Sequence, residues 1–209
     1  MPVIGKPPKS PRRVFLLATP ANLFQKLNWE IRGLAEKLSS QSADDFGSHL
    51  DASYYAFNAA VTAWHLTDWV WTYTDVASKE EIADRLGLDL SKCKSSIGRL
   101  KAFQEAMLQS SQALKICCEI ANGSKHMEER NGSEILASVS WTTRHASAGE
   151  LKAGDPIATF TYNLVVRDSE NEFTALEVFK SVENFWQDFL STWGFIDPEF
   201  IHPDEDEYL

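Results

Sequence analysis

The sequence predicts a mainly α fold: an up-and-down helical bundle with a small antiparallel β hairpin or sheet inserted before the C-terminal helix. Three observations predict it. Apolar residues recur at helical spacing through most of the first 121 residues. The period changes to two after about residue 134, then returns to helical in one last apolar stripe. An apolar fraction of 44%, with seven Trp and twelve Phe in 209 residues, supplies a sizeable core. That length suits one domain, which we assign to 19–196, with the hairpin at about 134–176. A basic tail over 1–18 and an acidic tail over 197–209 flank it.

Each element has its own reason. The first helix is expected to start at Thr19-Pro20, since Thr caps well and Pro suits the first helical position. Leu23, Leu27, Ile31, Leu34 and Leu38 then mark one face. A polar stretch, SSQSADDFGS, separates it from a long helix over Leu50–Tyr73. In that helix small alanines allow close approach, and Phe57, Val61, Trp64 and Trp71 are expected to add core bulk. SKEE at 78–81 reads as a capping box opening a short helix that ends near Gly87. The next helix is expected to run unbroken from Ser96 to Ala121, with Leu100, Phe103, Met107, Leu114 and Cys118 as its core stripe. It should pack on the Phe57–Trp71 helix and bury most tryptophans. Asn122-Gly123 should end or kink it, because Gly in a helix interior costs ~1 kcal/mol against Ala.

The β elements follow. Ile135, Ala137, Val139 and Trp141 alternate, as do Phe160, Tyr162, Leu164 and Val166. Opposite the second row stand Thr159, Thr161 and Asn163, the pattern of a half-buried strand. RDSENE reads as a turn, with FTAL pairing beyond it. A last helix over Glu177–Trp193 carries Phe179, Val182, Trp186, Phe189 and Leu190 on one side.

Charge bounds the partners. The formal net charge is −10. Lys6, Lys9, Arg12 and Arg13 make the start basic, whereas the end holds Asp197, Glu199, Asp204, Glu205, Asp206 and Glu207. The body retains 16 basic and 24 acidic residues, a balance that repels nucleic acid unless a local patch dominates. Three cysteines without a secretion signal fit a reducing, cytoplasmic setting, with Cys93, Cys117 and Cys118 serving as small apolar side chains. No apolar run is long enough for a membrane helix. No Gly-rich phosphate loop, Gly-x-Ser-x-Gly elbow or zinc framework is present, so no cofactor is expected.

Two clusters carry chemistry. On the long second helix, steps of seven and three put Asn58, His65 and Asp68 on one side. They form either a polar edge or a pocket wall in which Asp68 orients His65 for proton transfer. Joined by His126 around a divalent ion, the pair becomes a metal-assisted hydrolase, although it lacks the HExxH spacing. The second cluster is ANGSKH, Ala121–His126. A helix break there aims Lys125 and His126 at a groove, one as a fixed positive charge and one as a group titrating near neutrality.

ANGSKH at the end of a long helix resembles the Arg-Asn-x-x-x-His motif of the HEPN superfamily. The resemblance implies a small helical bundle, commonly a homodimer that brings two motifs together. Many members are metal-independent ribonucleases of toxin–antitoxin or phage-defence systems, and others are inactive binding modules. Asn122 matches the motif's polar position and His126 its histidine, while Ala121 replaces the arginine that steadies phosphate charge. The resemblance thus implies a non-catalytic interaction module with a protein or RNA partner. Its alternative is a ribonuclease in which His126 acts as general acid–base and Lys125 holds the phosphate.

Overall fold

The computed structural model describes residues 17–39, 48–123, 135–145, 158–169 and 171–197. The expected tails, apart from Leu17, Ala18 and Asp197, lie outside these residues, as do Lys125, His126 and the side chains of Trp141 and Phe160. Helix α1 (Pro20–Ser39) opens where the capping pattern places it. Thr19 Oγ1 accepts the Asn22 N–H at 3.2 Å. Leu23, Leu27, Ile31 and Leu34 are buried, and Leu38 packs against them from the rim.

Helix α2 (Ser48–Tyr73) runs antiparallel to α1. Three contacts fix the pairing: Lys37 Nζ to Asp51 Oδ2 at 2.9 Å, the Trp29 ring edge-on to Tyr55, and Lys26 Nζ to Thr62 Oγ1 at 2.7 Å. Ala52, Ala59, Ala60 and Ala63 are buried, which lets the helices approach. Gly33 shows how closely, because a Cβ there would collide with the Tyr55 ring. Phe57 does not join this core as expected; it is 40% exposed. The buried face of α2 is set by the alanines with Leu66 and Val70, and Phe57 lies roughly 200° around the helix from Ala59.

Helix α3 (Val76–Arg85) corrects the expected cap. Asp75, not Ser78, is the N-cap: its Oδ1 accepts the Ser78 N–H at 2.9 Å, and Ser78 is already inside the first turn. The helix ends as expected near Gly87, whose φ of +69° suits glycine. Leu88 N–H closes the end on the Ala83 carbonyl at 2.8 Å.

The expected Ser96–Ala121 helix is two helices, α4 (Ser96–Ser110) and α5 (Gln112–Gly123). Two adjacent serines explain the break. The Ser110 hydroxyl donates to the Ala106 carbonyl at 2.8 Å, and Ser111 Oγ accepts the Leu114 N–H at 3.2 Å. Ser111 is extended (φ −148°, ψ 114°), so it closes α4 and caps α5 at once. Phe103, Met107, Leu114 and Cys118 are still buried, because the stripe resumes beyond the break; Leu100 is half-buried. Both α4 and α5 pack on α2, although α1 is its most extensive neighbour.

The three strands β1 (Ile135–His145), β2 (Ala158–Asp168) and β3 (Asn171–Thr174) form one antiparallel sheet in the order β1-β2-β3. Ile135 pairs with Asp168 and His145 with Ala158. Tyr162, Leu164 and Val166 are buried while Thr161 and Asn163 are exposed, as the alternation predicts. Thr174 ends β3 and caps α6 (Ala175–Thr192), where it and Glu177 complete a capping box. Helix α6 therefore begins two residues before the expected Glu177.

The core gathers all six helices and β2 around Trp186. Its indole Nε1 donates to the Ala63 carbonyl at 3.1 Å. Phe103 stacks on Trp71, and Phe189 lies between Phe103, Trp186 and Trp193. Burial of the tryptophans is less complete than expected. Trp71, Trp186 and Trp193 are buried, Trp64 and Trp69 are half-buried, and Trp29 is 57% exposed.

Candidate functional site

The helix α5 carries the first half of the motif. Ala121 is 3% exposed and belongs to the same buried row as Leu114, Cys117 and Cys118. The helical turn requires this, since Cys117 and Ala121 are four residues apart and share a face. Asn122, one residue on, is half-buried and uses its amide within its own helix, donating to Cys118 Sγ at 3.2 Å. Gly123 ends α5 and is exposed, in keeping with the expected stop. Lys125 and His126 follow outside the described residues.

The three α2 residues differ in burial. Asn58 and His65 are exposed, whereas Asp68 is half-buried. Asp68 Oδ1 lies 3.4 Å from Gln104 Nε2 of α4, which also donates to Thr67 Oγ1 at 3.0 Å. Thr67 in turn donates to the Trp64 carbonyl at 2.8 Å. Asp68 thus contributes to a polar seam between α2 and α4, and His65 lies one helical turn before it. Among the described residues no three His, Cys, Asp or Glu side chains are grouped closely enough to hold a metal ion.

None of the three cysteines is in a disulfide; Cys117 and Cys118 are buried and Cys93 is half-buried. Burial drives the Cys117 thiol far above its ordinary range, with the neighbouring Cys118 adding to the rise. A thiol held protonated in this way is a poor nucleophile.

A cleft that sequence reasoning missed opens where α4 breaks into α5. Its volume is about 410 Å³, and Ile116, Phe173, Val178 and Phe185 line it with Ser111 and Glu177. The Glu177 carboxylate is held below its ordinary range by the backbone N–H and then the hydroxyl of Thr174, so it is ionised at neutral pH. The cleft pairs apolar walls with a negative charge at its rim, a combination suited to binding. The available signal was Ser110-Ser111 in mid-helix, which marks a break in the α4–α5 rod. Phe173 and Phe185 come from distant elements, and no spacing rule connects them to that pair.

No helix among the described residues is long and apolar enough to cross a membrane. Compared with models of known protein families, with curated proteins and with solved structures, the chain finds no match.

Proposed function

We propose that the chain is a HEPN-like binding module without catalytic activity, an accessory that engages a protein partner in a defence or toxin–antitoxin setting. One observation carries this reading. The position corresponding to the motif arginine is Ala121, and it faces the core at 3% exposure. A phosphate-holding cation at that position would need a polar groove, and its neighbours are Leu114, Cys117 and Cys118 instead. The engaged amide of Asn122 supports the same reading. So does the overall charge of −10, which opposes a polyanionic substrate. Three cysteines outside any disulfide suit a cytoplasmic location.

The test is incubation with single-stranded and structured RNA in the presence of chelator. No cleavage is expected, and His126→Ala should behave as wild type. RNA cleavage by wild type that His126→Ala abolishes would replace this reading with the ribonuclease. A companion variant addresses the arginine position. Ala121→Arg should lower stability by ~2 kcal/mol or more, since it forces a charge toward the core, and should produce no nuclease. A denaturant titration measures the first outcome, and the RNA assay the second.

A further inference from the structure

The sheet has two unequal edges. β3 is four residues long and turns directly into α6, but β1 is eleven residues long. Among the described residues no strand lies beyond β1. Extended edges of this length template the addition of another strand, and proteins usually blunt them with lysine, proline or a bulge. Residues 135–145 contain neither lysine nor proline, their one charged residue is Arg144 near the far end, and the register with β2 is continuous from end to end, without a bulge.

The side chains point the same way. Ala137 and Val139 oppose Val166 and Leu164, so they share the core-facing side of the sheet. Val166 and Leu164 are 2% and 7% exposed, while Val139 is 37% exposed. The apolar layer therefore continues outward past its helical cover. On the other side Leu136 is 51% exposed.

Charge selects the occupant. The chain carries 30 acidic residues, yet none lies in 135–145. For two copies of a molecule at −10, this is a place where they can approach without opposing carboxylates. Interface centres are depleted of charge in the same way. An antiparallel edge also offers its own copy a matching row of donors and acceptors about a twofold axis. We propose that two copies of the chain join through β1, pairing antiparallel, so that two three-stranded sheets become one of six strands. Overlap of 136–144 centres the twofold on Ser140. The assignment is independent of the functional reading above.

Light scattering on the full chain, with hydrogen exchange over a range of concentrations, tests it. Wild type should show twice the chain mass, and the 136–145 amides should lose protection on dilution. Leu136→Lys with Val139→Lys should halve the mass while the helical circular dichroism is unchanged. Tyr54→Lys with Phe57→Lys, on the exposed face of α2, should leave the dimer intact. A wild type that stays monomeric at its highest soluble concentration overturns the proposal. So does a dimer split by the α2 pair and not by the β1 pair, or β1 protection that ignores concentration. The exchange experiment needs no variant, so it decides even where a lysine pair fails to fold.

Discussion

Lys26 illustrates what a single side chain does here. Glu30 is 1% exposed, a depth at which an ionised carboxylate must be partnered. Lys26 Nζ bridges it to Thr62 Oγ1 of α2, and the lysine head stays partly in water. Lys26→Met keeps the stem and removes the charge. It should cost about 1–3 kcal/mol by leaving the carboxylate poorly paired, and a urea titration would read the loss. Lys26→Arg should recover part of it. None of this was legible in sequence, where a Lys four residues before a Glu looks like an ordinary solvated pair. What distinguishes it is the close approach of α2, made possible by Gly33 and the alanines, and only tertiary packing decides on which side of α1 that approach falls. The motif shows the same limit. ANGSKH gives the identity of Ala121 but not its direction, which depends on where α5 is rotated relative to α2.

Among the elements, the apolar stripes were the most legible. The α1 and α6 faces and the β2 alternation lie where periodicity puts them, because burial of one face is the main force setting each element. Ends were read less well. The expected SKEE cap before α3 gives way to Asp75, whose backbone is extended and whose carboxylate takes the Ser78 N–H. The Ser111 break escaped notice because the stripe stays in phase through it. Caps also set the response to acid. Asp75 and Glu177 accept backbone N–H groups at the first turns of α3 and α6, and these bonds lower both pKa values from ordinary values of 3.8 and 4.5. A lowered folded-state pKa gives stability that is fully present above the ordinary value and is lost as pH falls through the lowered one. Unfolding midpoints should therefore drop as pH falls below about 4.5. Asp75→Asn with Glu177→Gln keeps the acceptors but cannot titrate. That pair should flatten the acid limb while leaving the neutral-pH midpoint close to wild type. Urea midpoints between neutral pH and the acid limit check this.

At the scale of the whole molecule, class and order of elements were read correctly because they follow from where the period changes. The α4–α5 cleft was not, since its walls come from α5, β3 and α6, and sequence carries no record of which distant surfaces meet. The same distance has a consequence for how the chain is made. Trp186 sits at the centre of the core and bonds to the Ala63 carbonyl, 123 residues earlier. During synthesis the first two helices leave the ribosome long before that indole exists. Until α6 emerges, their small-residue faces remain open to water and to other nascent chains. A chain stopped after Thr174 should thus retain helical circular dichroism without a cooperative melt, and should be held by chaperones. A sharp melting transition in that fragment would show that the early helices close a core by themselves.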